Sequence, residues 1–472
     1  MKRLGIGLIL LAAGILSGCG GGEGSSAPPP LQITVSISPE AAQVKAGVEI
    51  QFTAKATGGS DERVQYYVVE NNGGIVSAGG RYTAPPRAGT YRVVAQSVAD
   101  GRAKAEAVVT VLDYERSISR LDGELVHRRA GHSATLLADG SVVVFGGFGD
   151  PDGFYSPNAE RFDPNTQTFT RTTKLDIGFA GHAAVALNNG VPLYAGGYAW
   201  GGPHGSAFVY EPVNGPVRSA GEMTRARMNH TMVALAGNKA LVAGGVNYGP
   251  GYADVQASAE IYDAATGQFT LTGPMNKLRR NHTATVLRDG RVLIVGGSLL
   301  ACDDFFSCPG ESDIHASAEI YDPATGTFTL TGNLNLPRYD HTATLLPDGR
   351  VLIAGGTYTG PDGYLTRPPA YEVYDPATGR FTVGGVMRIA RVYHTATVLG
   401  DGKVLIVGGL NDNDYPQADS ELYDPATGTT QAGPQLLFER AQHTATRLPN
   451  GNVLIVGGHN LAQATAIVEI FR

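Results

Sequence analysis

The sequence predicts an all-β chain, a small β-sandwich followed by a seven-bladed propeller. Three observations predict it. Glycine supplies 64 of the 472 residues and no long stretch beyond the N-terminus has helical periodicity, which suits short strands joined by tight turns. Residues 31–112 alternate with period two between clusters of Gly, Asn, Asp and Pro. From there to the end, a histidine opening an apolar run that closes in Gly-Gly recurs at His132, His182, His230, His282, His341, His394 and His443, with a period of 48 to 59 residues. A period near 50 marks a unit of four strands that cannot bury its faces alone and so stacks with its neighbours around an axis.

Residues 1–18 read as a signal peptide. Lys2 and Arg3 precede an apolar run over 4–16, shorter than the about 20 residues a membrane-spanning helix needs. Leu16-Ser17-Gly18-Cys19 resembles the bacterial lipoprotein signal. That resemblance implies that Cys19 is lipidated, becomes the mature N-terminus and holds the protein to a membrane. Gly20 behind it resembles lipoproteins sent to the outer membrane. Residues 19–30, with GGGEGSSAPPP after the cysteine, form a flexible and then stiff tether.

Within 31–112, LQITVSISP, VEIQFTAKA, VQYYVVE, TYRVVAQSV and KAEAVVTV read as the strands of a sandwich. GGRYTAPPRAGTYRVVAQS, residues 79–97, resembles bacterial immunoglobulin-like domains. No intersheet cysteine pair is present, and Tyr66 or Tyr67 stands where a core tryptophan often sits. Such a module is expected to act as a spacer.

Residues 113–472 carry the repeats. In HTATLLPDGRVLIAGG, 341–356, the first six residues alternate as a strand and Asp-Gly suits a hairpin turn. The apolar run that follows suits a strand with sheets on both faces. YEVYDPATGRFTV, 371–383, is a second hairpin, with Pro376 presetting φ and Gly379 placed for a left-handed turn residue. These residues resemble kelch repeats of the galactose oxidase kind, over roughly three-quarters of the chain. There are departures: Phe169, Phe269, Phe328 and Phe381 stand where many kelch repeats carry tryptophan, and the second repeat has Pro192 in a strand and Glu211 in place of Asp. The last repeat stops at VEIFR, where the others read AEIYD or close variants of it. ERSISRL, 115–121, is therefore expected to supply its fourth strand and close the ring.

Alternate connections of an antiparallel sheet fall on opposite ends, so the DG and DPATG turns share one face and the loops after Gly-Gly share the other. Those variable loops are rich in aromatics, among which Trp200, Tyr252 and Tyr364 are the candidate ligand contacts. Acidic pairs there (Asp150/Asp152, Asp303/Asp304, Asp412/Asp414) bring calcium into view, but none has the spacing of a full calcium loop and turn chemistry accounts for them better. Cys302 and Cys308 are an isolated close pair, expected to form a loop-closing disulfide in an exported protein rather than a metal site.

A net charge of −7 with 17% charged residues gives no phosphate-seeking basic surface, so nucleic acid is not an expected partner. Arg-x-x-His occurs in six of the seven repeats, and a residue repeated once per blade is expected to serve the blade's own hydrogen bonding. The resemblance to galactose oxidase implies copper near the axis with a Tyr-His pair among its ligands, and Tyr393-His394 stands in the matching context. The cross-linked cysteine and the histidine of a further C-terminal domain that the same resemblance requires have no counterpart here. No nucleophile–base motif, phosphate loop or paired-carboxylate site is present. The expectation is a lipid-anchored binding scaffold of the bacterial cell envelope without a cofactor, its variable face meeting a glycan or a protein. The alternative is a carbohydrate-active enzyme, such as a copper-dependent oxidase with an altered site.

Overall fold

The computed structural model describes residues 32–85, 87–112, 116–149, 154–175, 178–211, 217–249, 252–299, 314–360 and 364–472; Cys19, the tether, Cys302 and Cys308 lie outside them. No described residue is helical, and therefore no described helix is long and apolar enough to cross a membrane. Contacts divide the chain into two compact units, one ending at Leu112 and one beginning after it.

The first unit is built of three sheets. Val64–Val68, Gly89–Ser97 and Lys104–Leu112 pair antiparallel, and Ala41–Lys45 adds to the last of these in parallel. Thr34–Ser38 pairs with Thr53–Thr57, and Arg81–Thr83 lies between Glu49–Gln51 and Ile75–Val76. Strict alternation turns Ile37, Phe52, Tyr82, Val93, Ala107 and Val109 into one apolar core. Tyr66 packs against that core while Tyr67 faces outward. The Tyr91 hydroxyl donates to the Arg87 carbonyl at 2.9 Å, a tyrosine corner that ties the start of its strand to the preceding connection.

Among its described residues the second unit holds seven four-stranded antiparallel sheets. Their first strands, Ser133–Leu136, Ala183–Ala186, Thr231–Leu235, Thr283–Val286, Thr342–Leu345, Thr395–Val398 and Thr444–Arg447, touch in succession, and the last touches the first. Each second strand is apolar for a reason the packing makes plain. Val292–Val295 and Val351–Ala354, for example, are buried along their whole length because a neighbouring sheet lies on either face. Leu293 and Val295 share a cluster with Val351 and Ile353 of the following sheet. The joint between last and first sheets is built alike, from Leu454 and Val456 against Val142 and Val144. Phe169, Phe269, Phe328 and Phe381 lie at 4.7 to 5.1 Å from Phe162, Tyr262, Tyr321 and Tyr374 of the adjoining strands, filling the space a tryptophan would take.

The ring closes on a strand from its own beginning. Ile118–Arg120 pairs antiparallel with Val468–Phe471, the chain's last strand, placing Ile118 opposite Phe471. Ser117 and Arg472 exchange backbone hydrogen bonds just beyond it, and Arg116 makes a buried ion pair with Asp401 of the sixth sheet. Deleting 116–122 would expose the edge of Val468–Phe471 to solvent and to other chains. The expected outcome is aggregation, or an unfolding midpoint lowered by more than about 5 °C. Deleting 32–112, whose core residues belong to the first unit alone, should leave the midpoint of the remainder in place. Thermal unfolding followed by circular dichroism measures both.

Candidate functional site

The variable ends of the sheets are held by a buried ion pair that recurs in six of them. In the fifth, the guanidinium of Arg338 is fully buried, with Nη1 donating to the carbonyls of Gly355 and Ala370 at 3.0 Å each and Nη2 to Glu372 at 2.9 Å. Glu372 in turn accepts the backbone N–H groups of Asn335 and Leu336, at 2.8 and 3.1 Å. One side-chain pair thus ties together the incoming connection, the end of the second strand and the start of the third. Arg129–Glu160, Arg227–Glu260, Arg279–Glu319, Arg391–Glu421 and Arg440–Glu469 repeat the arrangement. Burial pushes the Arg338 guanidinium below its usual range, and the Glu372 charge opposes that shift. A fork-shaped cation suits the task because two carbonyls and a carboxylate must be met in one plane. The arginines stand out in the sequence; their glutamates do not. The signal for them is the Glu of AEIYD, which recurs at one register of the third strand in those six sheets.

Six of the seven repeated histidines bridge to the sheet before them. His394 Nε2 lies 3.0 Å from Thr342 Oγ1, and His132, His182, His282, His341 and His443 reach Thr444, Ser133, Thr231, Thr283 and Thr395 at 2.8 to 2.9 Å. The first glycine of Gly-Gly gives the ring its room: a Cβ on Gly408, at φ +66°, would lie 2.6 Å from Cε1 of His443. Its neighbour Gly409 donates to the Arg440 carbonyl of the next sheet at 2.9 Å. Histidine, hydroxyl and glycine pair are therefore one interlocking joint between sheets. Burial holds His182 down at about 4 and His394 down at about 3, the Arg391 charge adding to the shift of the latter, so all these rings are neutral at pH 7. Thr342 Oγ1 also approaches the Ala354 carbonyl at 3.4 Å; on that network the proton is assigned to Nε2 of His394.

The second sheet departs at three positions at once. Phe179 replaces the arginine and Phe208 the glutamate, their ring centroids 5.4 Å apart. Ala183 replaces the threonine, so His230 lacks the hydroxyl partner of its counterparts. Aromatic packing has taken the place of a polar network, and this is the physical content of the irregular repeat.

At the same end, the residue before each histidine adopts a left-handed backbone: Gly131, Gly181, Asn229, Asn281, Asp340, Tyr393 and Gln442, at φ +52° to +64°. Successive members join N–H to C=O, Asn229 to Gly181, Asn281 to Asn229, Asp340 to Asn281, Gln442 to Tyr393 and Gly131 to Gln442. The result is a collar whose side chains are polar along five consecutive sheets and absent along two. Asn281 Nδ2 donates to Asp340 at 3.0 Å. The buried Asn229 Nδ2 and Asn281 Oδ1 have no hydrogen-bond partner.

Around the collar stand small strand pairs, 198–199 with 202–203 in the first, 246–249 with 252–255 in the second and 358–359 with 365–366 in the third. Trp200 is 79% exposed at the tip of the first and Tyr364 is 74% exposed on the third; Tyr252 begins a strand of the second, at 252–255. Phe154, Tyr155 and Tyr198 form a ladder of rings with centroids 4.9 and 5.7 Å apart, linking the first two sheets. Asp412 and Asp414 are engaged by Arg367, which donates its backbone N–H to one and pairs its guanidinium with the other. Among the described residues no three His, Cys, Asp or Glu side chains converge as a metal site would require.

The ring of sheets with its collar and variable loops defines a class, the β-propeller, and the chain is similar at low identity to kelch-repeat and galactose oxidase propellers. No family model matches the chain. It is 28% identical over 261 residues to galactose oxidase of Gibberella zeae, covering 49% of this chain and 36% of that protein. An F-box/kelch-repeat protein of Arabidopsis thaliana is 25% identical over 279 residues, covering 53% of this chain and 55% of that one. The chain thus spans about a third to a half of these relatives. A solved fungal alcohol oxidase of the AA5 family, in complex with copper, superposes with a TM-score of 0.58 at 17% identity, covering 75% of each chain. The described residues do not fit a copper centre of that kind. Tyr393 and His394 are adjacent, but His394 Nε2 is engaged with Thr342 like its counterparts, and among the described residues no group of three His, Cys, Asp or Glu side chains forms there.

Two outcomes follow from this geometry. Arg338→Met strands the buried Glu372 charge and should cost about 3–5 kcal/mol, whereas Arg338→Phe with Glu372→Phe, the pair present in the second sheet, should recover most of that loss. Denaturant unfolding of the variants measures the difference. The histidines set a pH dependence: their folded-state affinity for protons lies below the ordinary 6.5, so the unfolded chain binds more protons at acid pH. Their contribution is intact above 6.5 and is lost as pH falls through about 4 and 3, the values held by His182 and His394. Stability should fall between pH 6.5 and 3, and replacing a bridging histidine with Gln should flatten the slope of midpoint against pH in that window.

Proposed function

We propose that this protein is a lipid-anchored binding scaffold of the bacterial cell envelope. In this reading Cys19 carries the lipid, an immunoglobulin-like module over 31–112 acts as spacer, and a seven-bladed kelch propeller over 113–472 presents its variable face to a glycan or a protein. One observation carries it, the division of labour between the two ends of the sheets. The turn end repeats the same Asp-Gly and DPATG geometry, while the other end raises exposed Trp200, Tyr364, Phe154 and Tyr415 on loops of unequal length. Large rings held in solvent on a rigid frame suit stacking on sugar faces or anchoring in a partner's pocket. The tyrosine corner at Tyr91 and the parallel pairing of Ala41–Lys45 support the immunoglobulin-like reading of the spacer.

The repeated arginines and histidines are absorbed by the joints between and within sheets, which leaves the loops to do the binding. The likeness to galactose oxidase keeps an oxidase of altered site as the second reading, resting on Tyr393-His394. The experiment is a glycan array and an envelope-protein capture with the exported protein and its Trp200→Ala, Tyr252→Ala and Tyr364→Ala triple variant. Capture should fall by at least about tenfold, a loss of the size interface anchors give, with the melting temperature unchanged. Stoichiometric copper uptake with peroxide release from a sugar alcohol, undiminished in the triple variant, would favour the oxidase.

A further inference from the structure

The second sheet's loop hairpin is rooted differently from every other fully described one. In the sixth sheet, Arg391 Nη1 donates to the carbonyls of Gly408 and Asp419, the two ends of the 409–418 loop, at 2.8 and 3.1 Å. In the seventh, Arg440 does the same to Gly457 and Ile467, at 2.8 and 3.0 Å. A guanidinium thus staples the base of each loop, and its glutamate fixes the guanidinium. In the second sheet the equivalent loop runs from Gly197 to Gly205, and Phe179 has no donor to offer its base.

What remains there is a backbone set shared with the sixth and seventh sheets, Tyr198 N to Ala180 O at 2.7 Å and His204 N to Gly197 O at 2.9 Å, together with the hairpin's own pairing of Tyr198 with Pro203 and Ala199 with Gly202. The rings of Phe179, Phe208 and His204 pack beneath, with centroids 5.4 and 5.5 Å apart. Exchanging a buried ion pair for apolar packing is often neutral for global stability. It removes direction, however, because packed rings tolerate sliding where a fork of charge-assisted hydrogen bonds does not. Beyond buried Ala199 and the Tyr198 ring, which packs on Tyr155, the turn itself faces open space: a Cβ at Gly201 or Gly202 would meet no atom within 4 Å. Trp200, the most exposed large apolar side chain of the described residues, sits on this tip.

We infer that the 197–205 hairpin is a hinged arm of an otherwise rigid ring, opening locally while its counterparts stay shut, and carrying Trp200 with it. This concerns motion and stands whether the face meets a glycan, a protein or a substrate. Local opening is read by amide hydrogen exchange of the full chain, resolved to single residues. The amides of Tyr198 and His204 should exchange at least about tenfold faster than their register equivalents Leu410 and Gln417 in the sixth sheet and His459 and Thr465 in the seventh. Phe179→Arg with Phe208→Glu, which restores the staple, should slow them to the level of those sheets. Equal protection in the wild-type chain overturns the inference, as does a folded double variant whose rates at Tyr198 and His204 are unchanged. Should that variant not fold, the reverse exchange decides: Arg391→Phe with Glu421→Phe must speed exchange at Leu410 and Gln417, and unchanged rates there overturn the inference equally.

Discussion

Six fully buried guanidiniums are the condition on which the rest of this ring depends. An arginine removed from water is tolerable only where its charge is matched and most of its donors are met, as a glutamate and two backbone carbonyls do for the terminal nitrogens of Arg338. The carbonyls are those left over where strands end and a loop begins, groups that no sheet ladder can satisfy. The arginine therefore answers a need created by the loops themselves. Because the need arises at the base of the loop, what the loop does farther out is unconstrained, and lengths from nine residues upward coexist on one frame.

The joints between sheets follow from the same position in the chain. Three residues past the arginine the histidine turns toward the preceding sheet, and the left-handed residue between them makes that turn. Asn229, Asn281 and Asp340 adopt such a backbone readily; Tyr393 and Gln442 do so at a cost the collar must hold. In six of the seven joints the histidine then meets a hydroxyl one sheet back, with a glycine beside it. Four residue types are thus coupled across a single joint, which is why the pattern recurs as a block rather than as separate preferences.

That coupling explains what was legible in the sequence. His, Gly-Gly and Asp-Gly stand out because each is the only cheap answer to a local geometric demand, and their period announces the sheets. Glu160 and its equivalents were hidden because a glutamate inside an alternating strand reads as solvent-facing; only the buried arginine makes an inward carboxylate tolerable, and the two are about thirty residues apart. Phe179 and Phe208 were hidden for the same reason: each looks like erosion until the contact between them is seen. The candidate contacts Trp200 and Tyr364 were visible as aromatics in loops, but nothing in one sequence distinguishes a ring held in solvent from one folded under its own loop. Tyr155 and Tyr198, half-buried and tilted against each other, are not held free in solvent.

The second sheet shows how such a ring can change without breaking. Losing the arginine alone would strand a carboxylate, and losing the glutamate alone would strand a cation, so neither step is cheap by itself. With both gone and two phenylalanines in place, the interior is closed again by area rather than by charge, while Phe179 still lends its carbonyl to Gly147 of the neighbouring sheet at 2.8 Å. The backbone duty of the position survives and the side-chain duty is dropped. Rigidity of the ring and fixity of a given loop are therefore separable properties in this architecture. The first belongs to backbone bonds and apolar strands shared by every sheet, the second to a side-chain pair that one sheet does without.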